Sequence, residues 1–296
     1  MQLRGVLGPV ISTFQEGTEN LDVAAFTANV NAHLSAGLHG VVVCGSTGEA
    51  ALLSEDERRV LLEAARGATP REKLVVMGTG AESTRQTIKR CQDAKAGGAD
   101  AVLVVAPHYY SAAMNLEALR THYRAVADGS PVPVMLYNIP KYMHFALPPE
   151  LVAEMAQHPN VGGIKDSSGN IDMLKGFLAA QSDTFSVLTG NASTFVPALE
   201  AGARGGILAV ALFAPALCLQ MYDAFLAGNK TAAAEHQETA KPLASVIVAE
   251  LGVPGVKTAC DVVGLRGGVP RRPLIELDEA GEKRVREVLA GVVVAA

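Results

Sequence analysis

Short apolar runs rich in β-branched residues alternate along the chain with segments whose apolar residues recur at helical spacing. This alternation is typical of βα units that build a parallel sheet. The predicted strands cover residues 6–13, 40–44, 74–79, 101–106, 132–137, 161–165, 185–190 and 205–210. The predicted helices cover residues 22–36, 55–66, 83–96, 116–127, 149–157, 171–180, 193–201 and 215–227. Eight such units are enough to close a barrel, so we predict an α/β protein with the (β/α)8 TIM-barrel fold.

The ends of several predicted helices carry capping residues. Ser54 and Glu57 have the spacing of a capping box, in which each side chain bonds the backbone N–H of the other residue. Gly37, Gly97 and Gly202 follow predicted helices, where a left-handed residue ends the helix. These features support the helix boundaries.

The segment after the eighth unit also has helical patterns, near residues 231–250, 256–263 and 279–288. Breaks are expected at Gly252-Val-Pro-Gly255 and in the stretch of glycines and prolines at 267–273. No change in composition marks a linker. We therefore expect a barrel at 1–228 and a helical extension at 229–296 that packs on it, as one structural unit.

Composition narrows the range of partners. The 296 residues include 29 glycines, no tryptophan and 5% aromatics, which suits helices that pack closely on a parallel sheet. The net charge is -5 and the basic residues are scattered, so neither nucleic acid nor a membrane surface is an expected partner. Neither a leader pattern nor an 18-residue apolar run is present, and we expect a cytoplasmic protein.

Lys165 closes the apolar run Val161-Gly-Gly-Ile-Lys165, directly before the turn Asp166-Ser-Ser-Gly169. On a buried strand its amine would be poorly solvated, which favours the neutral, nucleophilic form needed to make an imine with a ketone. The alternative is a surface lysine at a strand end, paired with Asp166 or with a helix dipole.

Other unusual residues also follow predicted strands, where the active sites of this fold are built. Gly45-Ser-Thr-Gly-Glu49 is a short turn whose N–H groups and hydroxyls can hold a carboxylate. The alternative is a plain turn whose hydroxyls cap the next helix. Gly48, Gly190 and Val210, at or just after strand ends, are further expected substrate-binding residues.

Tyr137 ends the strand before that of Lys165, so the two side chains should be neighbours around the barrel. A phenol close to the amine can act as general acid and base, with Ser46 relaying the proton. The alternative is an amphipathic tyrosine whose hydroxyl bonds the backbone.

The histidines, cysteines and acidic residues do not form a metal-binding pattern. The seven histidines include neither HxH nor HxxxH, and few acidic residues lie at strand ends, so we predict no metal. His108 and His144 lie in loops at the mouth, where exposed or capping roles are the alternative to substrate contact. The isolated residues Cys44, Cys91, Cys218 and Cys260 are expected to be small buried apolar groups.

The chain resembles the superfamily of dihydrodipicolinate synthase and N-acetylneuraminate lyase, the pyruvate-dependent class I aldolases. The resemblance runs nearly end to end, with motifs in the same order and spacing. These motifs are Gly45-Ser-Thr-Gly-Glu49, Pro107-His-Tyr-Tyr110, Tyr137-Asn-Ile-Pro140, Gly163-Ile-Lys-Asp-Ser-Ser168 and the strand at Gly205-Gly-Ile207.

This resemblance implies a role for each motif. Lys165 would form the Schiff base with pyruvate or another 2-oxo acid, so no separate cofactor is expected. Tyr137 would shuttle protons, Ser46 would relay them, and Thr47 with the loop amides would hold the carboxylate. Tyr110, or alternatively Tyr109, would complete the relay in a neighbouring subunit of a homotetramer built as a dimer of dimers.

The second substrate is less well defined by the motifs. The synthases usually carry an arginine for a dicarboxylic aldehyde where this chain has Tyr142, and the sialic acid lyases carry an acidic pair where it has Asn191 and Ala192. The turn at 45–48, the longer tyrosine loop and Gly252-Val-Pro-Gly-Val-Lys257 look more like the 4-hydroxy-2-oxoglutarate aldolase branch.

Three functional hypotheses follow. The first is a lyase that makes or cleaves a C–C bond between pyruvate and an aldehyde, with 4-hydroxy-2-oxoglutarate as the expected substrate. The second is a dihydrodipicolinate synthase that condenses pyruvate with aspartate semialdehyde. The third is a barrel that binds 2-oxo acids without catalysis.

Overall fold

The computed structural model describes residues 3–293, in which eight parallel strands close into one barrel in the order of the chain. β8 pairs with β1, so the sheet has no free edge. The predicted (β/α)8 barrel is confirmed. The strands are β1 Gly5–Pro9, β2 Gly40–Val43, β3 Leu74–Gly78, β4 Ala101–Val105, β5 Val134–Asn138, β6 Val161–Asp166, β7 Ser186–Thr189 and β8 Gly205–Ile207.

Helices surround the barrel and continue after its last strand. Within the barrel they are α1 Val23–Ser35, α2 Glu55–Ala68, α3 Thr84–Ala96, α4 Leu116–Gly129, the short α5 Pro140–Met143, α6 Pro149–Met155, α7 Ile171–Leu178, α8 Phe195–Ala201 and α9 Pro215–Leu226. After the barrel come α10 Lys230–Pro242, α11 Gly252–Val262 and α12 Glu279–Val293. None of the helices between residues 3 and 293 has both the length and the apolar character needed to cross a membrane.

The strands are buried on both faces, because helices cover the outside and side chains fill the inside. Helix ends follow the predicted caps in most places. Ser54 N–H donates to Glu57 Oε2 at 2.8 Å, and Glu57 N–H donates to Ser54 Oγ at 3.2 Å, which completes the capping box. Gly37 and Gly202 are left-handed, whereas Gly97 is not, because Gly97 is the C-cap residue of α3 and the next residue, Gly98, takes that conformation.

The first strand is shorter than predicted. β1 leaves the sheet at Pro9, the last residue paired with β2, although residues 10–13 stay buried. Ser12 Oγ donates instead to the carbonyl of Gly48 at 2.7 Å. The residues after β1 therefore support the turn that follows β2.

The C-terminal helices differ from the prediction at two places. α10 passes into π-helical turns over Leu243–Glu250 directly after Pro242, which lacks the N–H that would continue the α-helical ladder. α11 begins at Gly252, so the predicted break is confined to Leu251 and Gly252, and Pro254 lies in the first turn, where its missing N–H costs no hydrogen bond. α10 packs on α8 and α9, and α11 packs on the turn after β8.

Candidate active site

Lys165 lies at the C-terminal end of β6 and is only 6% exposed. Its strand position pairs with Tyr137 of β5, and its Nζ lies 3.4 Å from the Tyr137 hydroxyl. The amine also lies 4.5 Å from the centre of the Tyr137 ring. These contacts exclude the alternative of an exposed lysine paired with Asp166.

Asp166 and Asn138 form a second cross-strand pair one residue further along. Asn138 Nδ2 donates to Asp166 Oδ1 at 2.7 Å, and the backbone N–H of Leu147 donates to Asn138 Oδ1 at 2.9 Å. Burial raises the pKa of Asp166, against the hydrogen bonds from Ser168 and Asn138 that stabilise its ionised form. The pair joins the ends of β5 and β6 beside Tyr137 and Lys165.

A cavity opens at the C-terminal ends of the strands and contains most of the predicted site. The predicted residues that line it are Ser46, Thr47, Tyr137, Lys165, Gly190 and Val210. The arrangement therefore brings an amine, a phenol and a pair of hydroxyls to one small space.

Gly48 and Tyr110 do not line this cavity. A Cβ on Gly48 would lie 2.8 Å from the carbonyl oxygen of Val10, so Gly48 faces the segment after β1. Tyr110 is 70% exposed and stacks edge-on against Tyr109 in the loop after β4. Its predicted action in a neighbouring subunit stays a prediction.

Gly190 makes room for the Lys165 side chain. A Cβ on this residue would lie 2.7 Å from Lys165 Cε and 2.0 Å from Ser167 Oγ. Both distances are shorter than carbon and oxygen atoms tolerate without bonding. A glycine is therefore required beside Lys165.

Several cavity residues were not predicted from the sequence. Ser167 lies two residues after Lys165, and Asn191 directly follows Gly190, so their position after a strand end could have identified both. Lys141 and Tyr142 come from α5, and burial raises the pKa of the Tyr142 phenol. One wall comes from the C-terminal elements, for which the sequence carries no local indication: Ala244, Val248, Ala249, Gly252, Val253 and Val256.

The other candidate residues stay outside the cavity. His108 lies near Glu82, with Nδ1 3.3 Å from Glu82 Oε1, and the exposed His144 is a left-handed residue that ends α5.

All four cysteines are buried and unpaired, as predicted, and burial raises the pKa of the Cys44 thiol to about 11. Within residues 3–293 no group of three or more His, Cys, Asp or Glu side chains is placed to hold a metal ion.

The geometry suits chemistry on a small ketone. A buried amine can attack a carbonyl carbon, a phenol within reach of that amine can transfer protons, and the hydroxyls and N–H groups of the turn at 45–49 can hold an anion.

The model of the dihydrodipicolinate synthetase family matches residues 2–291. Among curated proteins, the 4-hydroxy-tetrahydrodipicolinate synthase of Methanoculleus marisnigri is 35% identical over 288 residues, which cover 96% of this chain and 98% of the relative. That of Methanosphaerula palustris is 36% identical over 289 residues, 97% of this chain and 98% of the relative.

Solved structures agree with these relatives over nearly the whole length. YagE from E. coli K12, a prophage protein of the dihydrodipicolinic acid synthase family solved in complex with pyruvate, has a TM-score of 0.93 at 28% identity, covering 99% of each chain. Dihydrodipicolinate synthase DapA-2 from Bacillus anthracis has a TM-score of 0.93 at 27% identity, covering 98% of this chain and 99% of that one. The chain therefore belongs to the dihydrodipicolinate synthetase family, whose members are lyases that act on pyruvate through a lysine Schiff base and use no external cofactor.

Proposed function

We propose that Lys165 forms the Schiff base with pyruvate, that Tyr137 transfers the protons, and that Ser46 and Thr47 act at the substrate carboxylate. The observation that carries this assignment is the 3.4 Å distance from Lys165 Nζ to the Tyr137 hydroxyl inside the cavity. A general acid or base must lie within hydrogen-bond reach of the group it serves, and this contact can shorten when substrate binds.

The neutral amine of Lys165 attacks C2 of pyruvate. The carbonyl oxygen takes one proton from the amine and a second from the general acid, and it leaves as water, which gives the protonated imine. Loss of a proton from the methyl group then moves its electron pair into the imine and gives an enamine. The enamine carbon attacks the aldehyde carbon, a C–C bond forms, and the aldehyde oxygen takes a proton. Water then adds to the imine and releases the product, and cleavage follows the same steps in reverse. Tyr137, with Ser46 as relay, gives and takes the protons.

For the aldehyde we propose aspartate semialdehyde, which makes the protein a 4-hydroxy-tetrahydrodipicolinate synthase. The support is the shared name of relatives that are 35% and 36% identical over nearly the full length. This order reverses the one suggested by the motifs, which placed the 4-hydroxy-2-oxoglutarate aldolase first.

The aldolase activity on 4-hydroxy-2-oxoglutarate remains the second candidate. It is favoured by the cavity itself, which has Tyr142 where the synthases usually carry an arginine. Among the described cavity residues the charged ones are Lys141 and Lys165, and none is a carboxylate. The shorter aldehyde released by this cleavage also carries a carboxylate, so both candidates fit the charge of the cavity.

Two experiments test the proposal. Borohydride reduction with pyruvate, followed by peptide mass analysis, should attach the three-carbon acid at Lys165. The absence of an adduct would instead support a barrel that binds 2-oxo acids without catalysis. A panel of pyruvate with several aldehydes, run beside cleavage of 4-hydroxy-2-oxoglutarate, then ranks the two activities. Turnover of 4-hydroxy-2-oxoglutarate alone would restore the aldolase to first place.

We further propose a homotetramer built as a dimer of dimers, in which the exposed Tyr110 reaches a neighbouring active site. Support comes from the motif after Pro107, and from the 70% exposure of a large aromatic ring in the loop after β4. Sedimentation should give the mass of four chains, and Tyr110→Phe should lower turnover more than Tyr109→Phe.

A further inference from the structure

Glu49 and Lys257 form a buried ion pair behind the turn that carries Ser46 and Thr47. Lys257 Nζ lies 2.7 Å from Glu49 Oε1, and the two side chains are 2% and 0% exposed. Burial lowers the pKa of Lys257, and the facing carboxylate of Glu49 opposes that shift. The pair joins residue 49, at the end of the turn, to α11, which belongs to the C-terminal part of the chain.

The turn between these residues has an unusual backbone. Cys44 and Glu49, which stand on either side of Gly45–Gly48, have φ angles of 53° and 56°. Residues other than glycine rarely adopt this left-handed conformation, and it persists only where the surroundings hold it. The backbone of Glu49 is therefore strained, and its own side chain holds it in place.

The anchor extends to a second segment of the C-terminal region. The other carboxylate oxygen of Glu49, Oε2, accepts the backbone N–H of Arg271 at 2.8 Å. Lys257 Nζ also donates to the carbonyl of Val269 at 2.7 Å. The centre of the Phe14 ring lies close to both cations, 4.6 Å from Lys257 Nζ and 4.1 Å from the Arg271 guanidinium carbon. Glu49 is thus held from two sides by residues that are distant in the chain.

Stability alone does not explain such a pair. The cost of removing two charges from water offsets much of their attraction, and apolar side chains of similar size often stabilise a protein as well or better. A charged pair does supply a fixed direction between two groups, which apolar packing does not. Here the pair fixes the orientation of a strained turn, because Glu49 lies two residues after Thr47.

We infer that the Glu49–Lys257 ion pair is a positioning device that aims the Ser46–Thr47 turn at the substrate carboxylate. The inference rests on the proposed function, because it assigns the turn to pyruvate. The C-terminal region would then contribute to the active site in two ways. Residues of α11 line the cavity, and Lys257 holds the turn that carries Ser46 and Thr47. Loss of the pair should weaken binding of the carboxylate and leave the amine of Lys165 able to react.

The test compares Glu49→Gln and Lys257→Met with the double variant Glu49→Gln/Lys257→Met. Each is reduced with borohydride over a range of pyruvate concentrations, and again with acetone, a ketone without a carboxylate. We expect the pyruvate concentration for half-maximal labelling to rise 10-fold or more, while labelling by acetone stays within about twofold of the wild type. Arg66→Met is the matched control, since it breaks a partly buried ion pair with Asp100 away from the cavity.

The outcomes separate the two proposals. If the wild type is not labelled by pyruvate, the proposed function fails. Two results with a labelled wild type would overturn the positioning inference. In the first, the Glu49 and Lys257 variants need the same pyruvate concentration for half-maximal labelling as the wild type. In the second, they lose labelling by pyruvate and by acetone to the same extent. A single variant that does not fold is replaced by the double variant, which leaves no unpaired charge and is judged by the same two ketones.

Discussion

Tyr137 and Lys165 occupy paired positions on β5 and β6, which sets the phenol oxygen 3.4 Å from the lysine nitrogen. The next pair along the same two strands, Asn138 and Asp166, is joined by a hydrogen bond of 2.7 Å. Neighbouring strands of a barrel have a fixed spacing, so the amine and the phenol meet without any loop having to close. Lys165 and Tyr137 are therefore both fixed by the strands of the barrel.

Tyr137→Phe removes the hydroxyl and keeps the ring beside Lys165. Because the proposed proton donor and acceptor is lost, we expect kcat to fall by about 10²-fold or more, with the melting temperature little changed. Steady-state kinetics with the best aldehyde measures this. Tyr123→Phe is the matched control, since Tyr123 is fully buried on α4 and its hydroxyl donates to the carbonyl of Val104 at 3.4 Å. Equal turnover of Tyr137→Phe and wild type would remove Tyr137 from the mechanism.

Gly190→Ala places a methyl group 2.7 Å from Lys165 Cε and 2.0 Å from Ser167 Oγ. Lys165 must shift, and a displacement of about 1 Å in a reacting group can cost about 10²-fold in rate. We expect a folded protein whose kcat and rate of borohydride labelling both fall by roughly that factor.

Gly67→Ala is the control for this substitution. Gly67 lies on α2, and a Cβ there meets no atom within 4 Å. We expect unchanged turnover and a gain in stability of roughly 0.5–1 kcal/mol, because alanine loses less backbone entropy in a helix. Normal activity of Gly190→Ala would show that Lys165 has more freedom than the structure indicates.

Lys141→Ala tests how the cavity receives the aldehyde. Lys141 Nζ donates to the carbonyl of Ala249 at 2.8 Å across the cavity mouth, and Lys165 is the other charged residue of the described lining. In the proposed mechanism Lys165 is part of an uncharged enamine when the aldehyde reacts, which leaves Lys141 to pair with an acidic aldehyde. A hydrogen bond to a charged group contributes about 1.5–3 kcal/mol, so we expect KM for such an aldehyde to rise roughly 10- to 100-fold.

The pyruvate half of the reaction should not respond to this change. Borohydride labelling by pyruvate is expected to match the wild type, and Lys141→Arg, which keeps the charge, should retain most of the affinity for the aldehyde. A rise in KM that is equally large for uncharged aldehydes would contradict the charge pairing.

Two buried histidines predict a loss of stability in mild acid. Burial lowers the pKa of His33 and of His122 to about 4, whereas the unfolded chain titrates near 6.5. As the pH falls below 6.5, the unfolded chain binds protons first, so stability is complete above 6.5 and is lost towards pH 4. Each histidine should cost about 2 kcal/mol between pH 7.5 and pH 5.

Urea unfolding at these two pH values measures the loss. His33→Leu should remove about half of the histidine contribution, because it removes one of the two buried histidines. The leucine breaks no hydrogen bond at Nε2, since that atom has no hydrogen-bond partner among residues 3–293. If His33→Leu loses stability with pH as steeply as the wild type, the histidine is not protonated on unfolding in this range.

Local patterns in the sequence determined the barrel and the neighbouring positions of Lys165 and Tyr137. Apolar runs of strand length, alternating with helical periodicity, are enough to predict βα units, because burial and backbone period are recorded in neighbouring residues. Lys165 and Tyr137 end such runs, and in this fold strand ends meet at one mouth. The caps at Ser54 and Glu57 are equally local, since both partners lie within one helical turn.

Only the tertiary structure decided which distant residues complete the site. Lys257 and Glu49 are far apart in the chain, and nothing near either residue shows that they meet. The direction of Gly48 away from the cavity and the space that Gly190 leaves for Lys165 depend on atoms of other segments. Such contacts arise from the packing of whole elements, where a shift of 1 Å changes which atoms touch. A pattern of apolar and polar residues specifies the faces of these elements but not the atoms that meet across them.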